Sequence, residues 1–525
     1  MRKPIYIITA LLFAAAQPSA RCQTPSAFGY DLDAPLAKSA ERNPAANSVN
    51  AILVVGDAVW LGTSRGLSRT TDGGDTWRNY YGTAAFGTSS VPALAYDSVR
   101  NVVWASTMYT KDDVPVGTGL RYTTDDGETW QTVPQPLDDP GDSILYYGEN
   151  KISALPITVP EQNIIYDVAT TSTSVYIATW AGGVRRTTDQ GATWERVVLP
   201  PDNLNFIHPD SANSFYLSPS RGALVPVANL NHMGFSVVTA SDSLIYAGTA
   251  GGINKSTDGG SSWRRFSRQN QNRPISGNFV TSLALSRETG ALYGSTWRAE
   301  DNDEFYAVSV TTDGGETWAL SLYDERVHNF AAYENRAIAV SDNGAFFSPD
   351  QGGSWTLSGT IADAETRVPI ETSIFYDAAF DDGGTTAWLA SGDGTAKGAV
   401  DERGWLGTWE VFVAARPLES ETETYAYPNP FAPRLERTKI CYSTGGVERL
   451  TTIRVFDFGM NYVRTIVQNA PRGGTTHAID EDENLAVDYW DGRDDDGNYA
   501  PNGVYFYRVE VEGAEPTFGK ILVVN

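Results

Sequence analysis

The chain has 525 residues, two of them cysteine, with 64 acidic against 39 basic side chains and a formal net charge of −25. That length allows roughly three or four ordinary domains, or one large repeat domain and a smaller one, and 11% aromatic with 20% charged residues describes a folded chain with a real core. The acidic balance argues against nonspecific binding to nucleic acid or anionic membranes, both of which need basic patches, and two cysteines cannot build a disulfide scaffold.

The first element is a targeting signal. Arg2 and Lys3 precede an apolar run from Ile5 to Ala16, followed by small residues. This is the layout of a secretory signal peptide and is too short to span a bilayer. Cleavage is expected after Ala20 or Cys22, so residues 1–22 are read as the signal and 23–47 as an N-terminal extension. Arg21 stands where a lipoprotein signal wants a small residue, which speaks against lipidation of Cys22. No later apolar segment approaches ~18 residues, so no integral membrane span is expected in the mature protein. Cys441, its one cysteine, is read as a buried small hydrophobe.

An eight-residue motif then repeats six times. Thr70 to Trp77 (Thr-Thr-Asp-Gly-Gly-Asp-Thr-Trp) is followed in the same frame by Thr123–Trp130, Thr187–Trp194, Ser256–Trp263, Thr311–Trp318 and Ser348–Trp355. The aspartates (Asp72, Asp125, Asp189, Asp258, Asp313, Asp350) suit a turn because their oxygens accept backbone N–H bonds, and the glycine two residues on permits φ > 0. The tryptophans (Trp77, Trp130, Trp194, Trp263, Trp318, Trp355) would start the next strand and pack between sheets. Before the motifs, Val59–Thr63 recurs as Val103–Thr107, Val175–Thr179, Ile245–Thr249 and Leu292–Thr296, with looser copies at Ala337–Ser341 and Ala387–Ser391. The seventh copy, Ile374 to Val413, keeps only Gly407-Thr408-Trp409 as an echo of the motif. Four short strands per unit, at about 53 residues each, describe a propeller blade.

The motif resembles the Asp-box, or BNR, repeat of sialidases, sortilin-type receptors, xyloglucanases and photosystem II assembly propellers. The resemblance implies an all-β, seven-bladed propeller over residues 48–415, with six or eight blades as alternatives. It also implies that the box aspartates are structural, on the rim away from the central site.

Residues 416–424 are acidic and read as a linker. Beyond them come Tyr427-Pro428-Asn429-Pro430-Phe431, Trp490-Asp491-Gly492-Arg493-Asp494, Gly503–Val509 and Gly519–Val524. Together these elements resemble the immunoglobulin-like domain of flagellar hook-capping proteins, as reused in C-terminal sorting domains of the type IX secretion system. For residues 425–525 this implies a β-sandwich recognised by a secretion translocon, and a secreted or cell-surface (outer-membrane) location in a Gram-negative-type bacterium. Asp491–Gly497 does not keep the EF-hand frame, since Arg493 falls at its third position.

In such propellers the loops between strands two and three, and between blades, open on the face opposite the box turns. Long insertions and aromatics there mark a ligand surface: Tyr146, Tyr147, Trp180 and Trp297, with Asp301 and Glu304 as nearby carboxylates. No sialidase-type arginine triad is evident, the chain has one propeller where xyloglucanases use two, and four scattered histidines lack metal-ligand spacing. No catalytic residue, metal or cofactor is therefore assigned. The expectation is a noncatalytic exported protein that binds a glycan, peptide or envelope partner. The alternative is a secreted glycoside hydrolase (sialidase- or xyloglucanase-like) or lyase, with its acids on the insertion loops.

Overall fold

A computed structural model describes residues 43–217, 229–298, 303–364, 368–414, 422–427, 429–434, 437–473 and 485–524. The chain divides into two compact units. One runs up to Gly359 and resumes over Ser373–Gly407, and the other takes Thr360–Thr372 and Thr408–Asn525.

The first unit is all β. Its repeating element is a four-stranded antiparallel meander, seen in sheets beginning at Val49, Leu94, Ile165, Gly234, Phe279, Val327 and Phe375. The sheet that begins at Gly234 carries a fifth strand, Phe206–Ile207, on its outer edge. Each first strand packs against the first strand of the next sheet, and Phe375–Phe380 packs against Val49–Val55. This is a propeller-like arrangement.

The sequence explains the local structure. Second strands such as Val175–Thr179 and Ile245–Thr249 are buried along their whole length, because each is central in its sheet and covered on both faces. The motif turns join third to fourth strands. In the first, the Thr70 hydroxyl donates to Asp72 Oδ1 at 2.7 Å and accepts from Gly74 N at 3.0 Å, while Thr76 N donates to Asp72 Oδ1 at 2.9 Å. The same bonds recur around Asp125, Asp189, Asp258, Asp313 and Asp350. Glycine is required at Gly127, where φ is +84° and a Cβ would stand 2.2 Å from the Tyr80 hydroxyl.

The motif tryptophans pack back onto the preceding sheet. Trp318 meets Phe266 at 6.1 Å, Trp130 meets Trp60 at 6.0 Å, and Trp77 meets Trp388 of the last sheet at 6.4 Å. Trp77, Trp263 and Trp318 are buried, whereas Trp130, Trp194 and Trp355 are half-buried.

The segment between the second and third sheets forms a hairpin, Ile144–Tyr147 with Asn150–Ala154, extended by Tyr216–Leu217 in parallel. In the second unit, a three-stranded sheet (Thr424–Tyr427, Thr438–Ser443, Leu485–Trp490) and a four-stranded sheet (Tyr462–Arg472, Arg449–Phe456, Gly503–Val511, Thr517–Val523) share one apolar core. Trp490, Ile440, Ile453 and Tyr507 are fully enclosed in it, and Cys441 is buried. No helix among the described residues is long and apolar enough to cross a membrane.

Candidate functional site

First strands begin at the end of each sheet where second strands finish and third strands start. The motif turns, at the ends of third strands, therefore lie at the opposite end. Near their beginnings, six first strands carry a register shift, between Val49/Ala51, Ile165/Asp167, Gly234/Ser236, Val280/Ser282, Val327/Asn329 and Phe375/Asp377. A bulge leaves one residue out of the ladder and re-aims its side chain. The residues so placed are Asn50, Tyr166, Phe235, Thr281, His328 and Tyr376.

Four of these side chains belong to a run of aromatic contacts across successive sheets. Tyr166 lies 5.6 Å from Phe235, which lies 4.7 Å from Phe279. Trp297 lies 5.7 Å from His328, which lies 5.6 Å from Tyr376. Trp180, Phe235 and Phe279 share one apolar cluster with Met233 and Ala250, and Tyr166 and Trp297 pack against it. Trp297 is fixed by its indole N–H, which donates to the Val327 carbonyl at 2.9 Å, and Arg326 stacks 4.0 Å from its ring centroid. His328 Nε2 lies 2.6 Å from Asp342 Oδ1. Burial pushes the Asp342 carboxyl up, but His328 and Arg326 outweigh it and hold the group below its ordinary value.

Beside this aromatic collar, the polar residues that follow the bulges, Asp167, Ser236, Ser282, Asn329 and Asp377, bond to the neighbouring sheet. First strands are sheet edges with outward N–H groups that need acceptors. Asp167 accepts Val237 N at 2.9 Å and the Ser236 hydroxyl at 2.7 Å, Ser236 Oγ accepts Leu283 N at 3.0 Å, and Asp377 accepts Ile52 N at 2.7 Å. Asp377 also accepts Asn329 Nδ2 and Ala378 N. Burial raises Asp167 to about 6 and Asp377 to about 7, and the charge of Asp167 adds to the effect on Asp377.

The sequence-derived site residues fall in different places. Trp180 and Trp297 come together in the collar. Tyr147 lies elsewhere: it is buried, and its hydroxyl donates to the Ser261 carbonyl of the fourth motif turn at 2.6 Å. Tyr146 projects beside it, 72% exposed, with Lys151 Nζ 5.9 Å from its ring centroid. Glu304 is buried, and its Oε1 accepts Asn278 N at 3.1 Å. Asp301 lies outside the described residues. The six motif aspartates are occupied within their turns. Asp125 and Asp189 are held at about 2 by the hydroxyls of Thr129 and Thr193 first, then by backbone N–H groups.

Sequence reasoning missed Tyr166, Phe235, Phe279, His328 and Tyr376, whose only signal is a shared position at the start of the first strand. Among the described residues no group of three or more His, Cys, Asp or Glu side chains could hold a metal ion.

No family model and no curated protein matches this chain. Among solved structures it is similar to an ancestral GH74 enzyme, at 12% identity and a TM-score of 0.51, over 93% of this chain and 63% of that one. It thus spans less than two thirds of that enzyme's length. It is also similar to YCF48 from Cyanidioschyzon merolae, at 15% identity over 67% of this chain and 92% of that one, with a TM-score of 0.37. A third likeness is to PorZ, a surface component of the type IX secretion system of Porphyromonas gingivalis, at 12% identity over 91% and 75% of the two chains, with a TM-score of 0.29. At such identities the first likeness speaks for the fold alone, and the other two carry no argument.

Proposed function

We propose that this is an exported Asp-box propeller of seven blades that binds a glycan, or an extended peptide of an envelope partner, at the aromatic collar without turning it over. The carrying observation is the run of rings from Tyr166 to Tyr376 at one end of the sheets, in which Tyr166, Trp297, His328 and Tyr376 are half-buried and are backed by the buried Phe235 and Phe279. Aromatic faces supply stacking area on sugar or peptide, and a well-packed aromatic anchor typically contributes at least ~2 kcal/mol of binding. The immunoglobulin-like domain, residues 425–525, is proposed as the sorting signal that a secretion translocon reads, which would deliver the protein to the cell surface or medium.

The competing reading is a glycoside hydrolase or lyase, favoured by two carboxyls of raised pKa, Asp167 and Asp377, close to the collar. Against it, each of these carboxyls is spent on the main-chain N–H of the next sheet, and Glu304 is spent on Asn278. The test is a glycan and peptide panel with product analysis on the mature protein. Binding without product, lost in the double variant Trp180→Ala/Trp297→Ala, supports the proposal. Product release that disappears in Asp301→Asn, Glu304→Gln or Asp377→Asn would replace it with the hydrolytic reading.

A further inference from the structure

Away from the collar, the segment between the second and third sheets is tied to the third by a buried charge cluster. Arg185 and Arg196 are cross-strand partners, and both face the Asp138 carboxylate. Arg185 Nη1 lies 2.8 Å from Asp138 Oδ1, Arg196 Nη2 contacts Oδ2, and Ile157 N donates to Oδ2 at 2.6 Å. The carboxylate's lone pairs are therefore taken. All three side chains are more than nine-tenths buried. Two guanidiniums against one carboxylate leave the three-residue cluster one positive charge in excess, which the more distant, exposed Asp142 carboxylate offsets only in part.

What Asp138 does not reach is the other edge of Arg185. Nε and Nη2 form the side of the guanidinium fork that suits a single acceptor or a bidentate anion, and both are buried without a partner. Beside them is Asn163, fully buried. Its Oδ1 accepts Gly182 N at 2.9 Å, which fixes the amide orientation and leaves Nδ2 also without a partner. Glycine at 182 lets the backbone approach both side chains closely, since a Cβ there would stand 2.7 Å from Thr179 Oγ1 and 3.0 Å from Arg185 Nε and Asn163 Oδ1. The unmet groups are all donors. A buried N–H without an acceptor is costly, and an unbalanced buried charge more so.

We infer that the unfilled edge of Arg185, with Asn163 Nδ2, is a binding site for a small monovalent anion of the halide class, which supplies the missing acceptor and cancels the excess charge. The enclosure of these atoms fits an ion rather than a larger oxyanion or a ligand carboxylate. Because Asp138, Ile157 and Asn163 all come from the segment between the second and third sheets, the anion would lock that segment onto the third.

Bromide tests the site directly. Crystals of the full chain with bromide in place of chloride should show an anomalous peak within hydrogen-bonding reach of Arg185 Nε and Nη2. Melting at constant ionic strength should be higher in chloride than in gluconate by about 2–4 °C. Asn163→Asp keeps the acceptor for Gly182 N and builds an anion beside the fork, so it should fold and melt equally in both salts. A fork that shows only water density, equal melting of the natural protein in both salts, or an undiminished chloride effect in Asn163→Asp would overturn the assignment.

Discussion

Asp377 should make the protein less stable as neutral pH is approached from below. Its carboxyl lies at about 7 in the fold, because burial and then the neighbouring Asp167 charge oppose ionisation more than its hydrogen bonds favour it. In the unfolded chain it returns to about 3.8. Between those values the native state holds a proton that the unfolded state has released, so stability falls with rising pH and levels off above 7. The separation corresponds to about 4 kcal/mol at ~1.4 kcal/mol per pKa unit. Asp377→Asn removes the titration and keeps one acceptor for Ile52 N. Urea midpoints for both proteins from pH 4 to pH 8 give a difference curve that cancels what they share, and the contribution of motif carboxylates such as Asp125 and Asp189, held near 2, is lost only below that range. The natural protein should lose stability relative to the variant across pH 4–7. Asp167→Asn should move that loss to lower pH, since it removes the charge that helps raise Asp377. A flat difference curve, or one that rises with pH, would refute the reasoning.

Trp263→Ala should destabilise by roughly 3–5 kcal/mol, the usual cost of removing a large ring from a packed core, because Trp263 is fully buried and its indole donates to Gly260 O at 3.0 Å. Calorimetry would show this, and an unchanged melting temperature would mean the ring is dispensable. Cys441 is buried, so a thiol reagent should label it only in step with unfolding. Rapid labelling of the native protein would place that strand at the surface. Deleting residues 425–525 should strand the propeller in the periplasm, as fractionation would reveal, and unchanged arrival at the surface would remove the sorting assignment.

The repeat was legible because its chemistry is local. A hydroxyl, an aspartate, a glycine and a second hydroxyl within seven residues satisfy one another whatever surrounds them, as at Thr70–Thr76. Beyond Trp180 and Trp297 the collar was not legible, because its identity depends on register. Phe235 and Tyr376 look like ordinary strand aromatics until a bulge sets them apart from their neighbours. Tyr146 and Tyr147 illustrate the same limit. Adjacent strand residues point to opposite faces, so one is exposed while the other reaches a motif turn 114 residues away. Glu304 could be seen as a carboxylate near an insertion, but nothing in sequence shows that Asn278 N would claim it.

The capping of one sheet's edge by the preceding sheet's side chains also sets a timetable. Val237 N and Leu283 N can be capped by the preceding sheet as the chain is made, but the earliest first strand has no predecessor. The acceptor for Ile52 N is 325 residues downstream, on Asp377. Gly73 O likewise waits for Lys397, and Asn47 O for Gly394 N. A nascent or partly exported chain would therefore carry an open strand edge at its leading end until nearly the whole propeller had emerged. Contacts this distant in sequence are slow to form and leave the exposed edge available to other chains meanwhile. A chain of this design would gain from a holding factor at its N-terminal sheet, and its vulnerable interval is set by the time taken to make the chain rather than by the stability of the finished fold.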